Sequence, residues 1–218
     1  MNRLVKTPNG LGLLSGPTPF VWRGDLTWSL YGKYLHQGEG AAREIFADRR
    51  NVGANVVCCA GMLSWGYPFN PTTPGYWEGL RRFVEIAEEE SMRVCFVVFC
   101  DTRAIMPDQG AQLAHWERFF VTLGDKTNVT LLLENQPGHP SQQMDPMVFN
   151  PPYSVAGNFL LMAIRDNPFE DNPPIVPTWD LGAFCSKRND PNWYMEAGCV
   201  SMWTIVNDYT HTATVLFE

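Results

Sequence analysis

Nowhere in this chain does an apolar run approach the ~20 residues that a bilayer-crossing helix needs, which excludes a membrane-spanning helix. The first ten residues carry basic side chains but no apolar h-region, so no signal peptide is read there. Positive charge is scarce: 16 Lys and Arg against 23 Asp and Glu leave a net charge of −7. Without a basic stripe to neutralise phosphates, a nucleic-acid partner is excluded. No CxxC pair occurs among the six cysteines at 58, 59, 95, 100, 185 and 199. Cys58, Cys59, Cys95 and Cys100 lie inside apolar runs, where buried free thiols are expected rather than disulfides or zinc ligands. No two histidines have metal-ligand spacing, and neither a metal nor another cofactor is expected. His139 reads as a loop residue and His115 as one on a helix surface. No GxGxxG or Walker loop follows any apolar run, which removes the usual support for a nucleotide-binding sheet. The chain is expected to be soluble and made in a reducing compartment.

Apolar residues make up 45% of the chain and charged residues only 18%, the balance of a packed globular domain. One domain over residues 1–218 is the simplest division. Within it, strand-like and helix-like segments alternate. A first strand is expected over 20–28 and a helix over 40–52, with apolar Ala41, Ala42, Ile45 and Phe46 at helical spacing. A buried strand over 53–60 leads through a loop rich in Trp, Tyr, Pro and Thr to a helix over 76–90. Its stripe is Leu80, Phe83, Val84 and Ala87. A third strand over 92–100 and a helix over 109–123 follow, then a fourth strand over 128–135. The apolar runs of these strands do not alternate with polar residues, as expected of a parallel sheet covered on both faces. Beyond Pro137 the pattern is irregular. A long loop over 137–158, strands over 159–164 and 174–179, a helix over 193–209 and a last strand over 212–218 are expected.

The fourth strand is the most informative segment. Val129-Thr-Leu-Leu-Leu-Glu134 runs directly into Asn135, Gln136, Pro137 and Gly138. An apolar run ending in three polar side chains and a Pro-Gly break is how a buried parallel strand opens into a site. Eight tryptophans are many for this length; such residues either stack on planar faces, such as those of sugars, or fill a large core.

Asn135-Gln136-Pro137 resembles the Asn-Glu-Pro that ends the fourth barrel strand in clan A, cellulase-like (family 5-type) glycoside hydrolases. Four further pieces resemble the same family in order: Phe20-Val-Trp-Arg-Gly24 its opening strand, Gly53-Ala-Asn55 the entry to its second strand, and Val215-Leu-Phe-Glu218 its seventh. Trp179-Asp180 with Arg188-Asn189-Asp190 is similar to a sugar-facing loop of phage and bacterial relatives. The resemblance spans about residues 20 to 218. It implies a (β/α)8 TIM-type barrel that lacks its last strand–helix unit in this sequence, and retaining hydrolysis of O-glycosidic bonds in a β-linked carbohydrate. It also implies a cytoplasmic or phage-associated protein. By the same resemblance Gln136 stands at the acid/base position, Glu218 at the nucleophile, and Asn135 at the sugar 2-hydroxyl. Trp28, Trp65, Asp101, Trp179, Asp180 and Arg188 are the further substrate-binding candidates.

Retaining hydrolysis needs one carboxylic acid to protonate the leaving oxygen and a second carboxylate to attack. An amide cannot donate a proton as an acid does, so Gln136 predicts impaired hydrolysis. Glu134 lies two residues deeper on the same strand and is a substitute acid only if substrate sinks that far. Its alternative is a buried carboxylate paired to Arg23. The Arg that the family carries after its second-strand entry is missing here, with Cys58 and Cys59 nearby. The other function class is a non-catalytic carbohydrate-binding or scaffold protein on a degenerate barrel. Open barrel edges predict self-association.

Overall fold

The computed structural model describes residues 1–6, 13–100, 102–134, 160–165, 181–185, 201–203 and 214–216. The chain opens with a three-stranded antiparallel sheet, β1 (Leu4–Lys6), β2 (Leu13–Ser15) and β3 (Thr18–Phe20). Seven parallel strands then follow in chain order, each hydrogen-bonded to the next. These are β4 (Arg23–Leu26), β5 (Val56–Ala60), β6 (Arg93–Phe99), β7 (Val129–Glu134), β8 (Leu160–Arg165), β9 (Leu181–Cys185) and β10 (Ser201–Trp203). A last strand, β11 (Thr214–Leu216), pairs with the free edge of β4. Helices α1 (Leu30–Gln37), α2 (Glu39–Asn51), α3 (Tyr76–Glu89), the short α4 (Thr102–Ile105) and α5 (Gln109–Leu123) fill the crossovers as far as β7. The result is a partial TIM-barrel-like layer of parallel strands backed by helices.

Alternation along each strand decides which face meets the helices. Phe96 of β6 lies 5.8 Å, ring to ring, from both Phe83 of α3 and Phe119 of α5, so its side faces the helix layer. Tyr31 of α1 completes the cluster, at 5.2 Å from Phe83 and 5.9 Å from Phe96. Aromatic pairs at these separations contribute beyond the area that they bury. Residues of the other parity, Cys95 and Val97, face the concave side. The α5 helix begins where expected because the Asp108 carboxylate accepts a hydrogen bond from the Ala111 N–H at 2.9 Å, an N-cap that satisfies an orphan donor.

The antiparallel sheet closes the end at which the parallel strands begin. Arg93, the first residue of β6, is buried, and its guanidinium donates to the carbonyls of Asn2 and Thr127 and to Ser15 Oγ, at 2.6, 3.0 and 2.9 Å. The Phe20 ring lies 5.1 Å from it. Nearby, the Asn55 side chain accepts from the Arg23 N–H and donates to the Val21 carbonyl, which explains the Gly53-Ala-Asn55 motif in structural terms. Gly53 sits at φ 92°, in the left-handed region where glycine carries no Cβ penalty.

Several expectations need correction. The first strand is shorter than residues 20–28, because Thr18–Phe20 pairs with β2 instead of extending β4. Helix α1 was not expected. The helix expected over 193–209 gives way to a strand at Ser201–Trp203. Residues 174–179, expected as a strand, lie outside the described residues, and β9 stands after them at Leu181–Cys185. The last strand is not a parallel seventh one. Thr214 pairs with Asp25 and Leu216 with Arg23, so β11 runs opposite to β4, and β10 is the seventh parallel strand.

Candidate functional site

Parallel barrels carry their chemistry where the strands end, since side chains from successive strands converge there. With the antiparallel sheet closing the opposite end, the end left open among the described residues is the one where β7 finishes at Glu134, in register with Phe99 of β6. Asn135 and Gln136 come next in the chain and lie outside the described residues, as do Asp101, Trp179, Asp180, Arg188, Glu218 and His139. Among the candidates the structure brings Trp28 and Trp65 to this end. Trp28 follows β4, is partly buried, and its carbonyl accepts from the Ala60 N–H at 3.1 Å. Trp65 sits in the loop after β5 with 40% of its surface exposed.

The floor beneath is apolar and neutral. One row across the sheet reads Leu26, Cys58, Cys95 and Thr130, and the row above it Ala60, Val97 and Leu132. Of these, all but Leu26 are buried. Burial pushes the Cys58 thiol well up, and the neighbouring Cys95 sulfur pushes it further, so it stays protonated and offers no thiolate nucleophile. Cys58, Cys59, Cys95 and Cys100 are free and buried, as expected. Among the described residues no group of three or more His, Cys, Asp and Glu is placed to hold a metal ion. No described helix is long and apolar enough to cross a membrane.

Two polar residues belong to the helix side and not to the cleft. Asp25 is fully buried, and Arg49 Nε of α2 stands 2.5 Å from its Oδ2, while Thr27 Oγ1 donates to the same oxygen at 3.3 Å. Burial raises the Asp25 carboxyl above its ordinary range, against the opposing pull of Arg49 and Thr27. His115, expected on a helix surface, is buried instead between Trp77, Phe99 and Phe119, with ring separations of 5.5, 5.3 and 5.1 Å. Burial pushes its pKa down to about 3, so it is neutral near pH 7. Arg23 is exposed at the start of β4, whereas Glu134 ends β7, so the two backbone positions lie at opposite ends of the sheet.

Sequence reasoning missed the residues that hold the loop after β5. Leu63 and Phe69 pair antiparallel through two backbone hydrogen bonds of 2.9 Å, pinching residues 64–68 into a tight tip. Gln37 Nε2 donates to Tyr67 Oη at 2.9 Å, and His36 Nε2 lies 3.0 Å from the Pro68 carbonyl oxygen. A Cβ on Gly32 would meet the Tyr67 carbonyl oxygen at 2.4 Å, so the loop lies against α1 only because that position is glycine. The signal available in sequence was Gly32 inside an otherwise helical stretch.

No protein-family model matches the sequence, nor does any curated protein. Solved structures do match. A family 5 glycoside hydrolase from Bacteroides vulgatus aligns with a TM-score of 0.65 at 16% identity, over 85% of this chain and 44% of its own. The catalytic domain of a Thermobifida fusca endoglucanase, solved with cellotetraose, aligns at 0.62 and 13% identity, over 93% of this chain and 72% of its own. An endo-1,4-β-mannanase from Rhizomucor miehei aligns at 0.58 and 10% identity, over 89% and 76%. This chain thus spans less than half the length of the Bacteroides protein. At these identities the likeness is one of fold: the chain has a partial TIM-barrel-like fold similar to that of family 5 glycoside hydrolases.

Proposed function

We propose that this protein is a glycoside hydrolase-like protein that takes a β-linked carbohydrate at the open end of its sheet, with hydrolysis impaired at the protonation step. One observation carries the reading. The segment Glu134-Asn135-Gln136-Pro137 follows the fourth parallel strand, and in the family that it resembles the same place carries Asn-Glu-Pro, so that by this resemblance Gln136 stands in for a carboxylic acid. Asn135 would hold a sugar hydroxyl. Glu134 is the nearest carboxyl group in sequence that can serve as a substitute acid. Asp101, Trp179, Asp180 and Arg188 are proposed as substrate contacts on the same end. Glu218 is the nucleophile by resemblance only, and β11, which runs toward the start of β4 and away from the open end, favours binding over turnover.

The amide at Gln136 also favours a second reading, carbohydrate binding without turnover. A missing general acid costs about 10²–10⁴-fold in rate, least where the leaving group needs no proton. The test is hydrolysis of 4-nitrophenyl β-glycosides and of unactivated β-linked oligosaccharides by the wild type and by Gln136→Glu. Turnover confined to the aryl glycosides, with Gln136→Glu gaining activity on oligosaccharides, supports the hydrolase reading. Sugar binding with no turnover by either protein supports the second. Absence of both binding and turnover in folded protein refutes the assignment.

A further inference from the structure

We propose that Cys58 and Cys95 form an oxidative modification site, a buried dithiol that hydrogen peroxide converts to a disulfide joining β5 to β6. The site is independent of the carbohydrate reading. The four cysteines of this region are not equivalent. Cys58 is the register partner of Cys95, and both belong to the concave row that also holds Leu26 and Thr130. Neighbouring strands stand about 4.7–4.9 Å apart, inside the span of about 4.4–6.8 Å between Cα atoms that a disulfide bridges. Closure therefore needs no backbone movement, and the two sulfurs already lie in hydrogen-bonding contact. Cys59 belongs to the other face, with Phe96 as its register partner and the Tyr31 backbone against its sulfur. Cys100 follows the end of β6, where its Sγ lies 3.6 Å from the Val97 carbonyl oxygen. Neither has a cysteine opposite it in register.

The surroundings select both product and oxidant. Both thiols are fully buried, with neutral Ala60, Val97 and Leu132 in the row above them. A monovalent soft cation on two thiolates would leave a negative charge there without a counter-charge, whereas a disulfide is neutral. Neither side chain touches solvent, so a bulky oxidant such as glutathione disulfide is shut out of the folded protein, and hydrogen peroxide, little larger than water, is not. Burial and the neighbouring sulfur hold Cys58 protonated, which makes it the resolving thiol. The Cys95 sulfur attacks one peroxide oxygen and the O–O bond breaks. A sulfenic acid forms, and the Cys95 proton leaves with the departing hydroxide as water. The Cys58 sulfur then displaces the sulfenic hydroxyl, forming the S–S bond, and its proton leaves with that hydroxyl as a second water. Each sulfur loses one electron and the peroxide gains two. A thiol reductant restores the dithiol.

The folded full chain is treated with hydrogen peroxide or, separately, with glutathione disulfide, then unfolded in iodoacetamide and mapped by tandem mass spectrometry. Peroxide should join the peptides that carry residues 58 and 95, with loss of two hydrogens, and dithiothreitol should reverse this. Glutathione disulfide should leave both cysteines free to alkylate. Cys59→Ala and Cys100→Ala should keep the link, while Cys58→Ala and Cys95→Ala lose it. In Cys58→Ala the added oxygen should appear on Cys95, and in Cys95→Ala the Cys58 thiol should stay unmodified. Fragment ions from the wild type locate the link even where a variant fails to fold. Folded wild type that forms no link between 58 and 95 under peroxide overturns the proposal. A link through Cys59 or Cys100 instead overturns the register argument. A glutathione adduct on Cys58 or Cys95 overturns the selection of oxidant by size, and oxygen on Cys58 in Cys95→Ala overturns the assigned roles.

Discussion

Removing either partner of the Asp25–Arg49 pair should have very different consequences, because the two charges are buried unequally. Asp25 is fully inside, whereas the Arg49 side chain keeps 29% of its surface in water. Asp25 Oδ1 has no partner among the described residues, and the Arg49 Nε–H is not aligned on Oδ2 despite the 2.5 Å approach. Arg49→Gln strands a buried carboxylate, and breaking a buried pair in this way costs about 3–5 kcal/mol. Asp25→Asn leaves a cation that can turn to solvent and removes the burial penalty, so its cost should stay within about 1 kcal/mol. The pH dependence has a definite sign. The folded Asp25 pKa lies above its unfolded value of 3.8. Its contribution to stability is therefore fully present below that value and is lost as pH rises through the folded pKa. Arg49→Gln removes one of the groups that hold that pKa down, so the variant's deficit should be larger at pH 7 than at pH 5. Urea unfolding of the wild type and both variants at these two pH values measures it, with unchanged m-values confirming a common unfolded state. Equal losses in the two variants, or an Arg49→Gln deficit that does not vary with pH, would refute the reasoning.

His115, with a folded pKa of about 3 against 6.5 unfolded, contributes stability present above pH 6.5 and lost as pH falls toward 3. At pH 5 the loss is about 2 kcal/mol, so His115→Phe should flatten the decline in urea midpoint between pH 7 and 5; parallel curves for the two proteins would count against this. Arg93→Ala leaves the acceptors of Asn2, Thr127 and Ser15 without their shared donor, at roughly 3 kcal/mol for charge-assisted bonds. The loss should appear first as faster proteolysis within residues 1–20, with amides of β5 and β6 still protected; uniform loss of protection would show that the antiparallel sheet is not a separable unit. Edge pairing by strands such as β10, which has a hydrogen-bonded neighbour on one side only among the described residues, predicts concentration-dependent association. Light scattering after size exclusion tests this, and a monomer at all concentrations would refute it.

What the sequence determined by itself was the local period. The apolar runs ending at Ala60, Phe99 and Leu133 specify buried parallel strands wherever they sit, and α5 is legible over 109–123 from its apolar residues. Cys58, Cys59, Cys95 and Cys100 were legible as buried thiols because they belong to those runs. The fourth-strand signature was equally visible, since the change from Leu133 to Glu134, Asn135 and Gln136 is abrupt in the chain itself. Pairing was decided only in three dimensions. Phe20 and Arg23–Leu26 read as one strand in sequence and belong to two sheets, because Asn55, thirty-odd residues away, holds the turn between them. Thr214–Leu216 finds its partner at the edge of β4, about 190 residues earlier in the chain, and nothing within three residues encodes that partner or the antiparallel direction. The loop after β5 and α1 show the same limit: the sequence marks an aromatic, Tyr67, and, thirty-five positions earlier, a glycine, Gly32. Only the close approach of loop to helix makes the second a condition for the first, since packing joins residues whose separation along the chain carries no period.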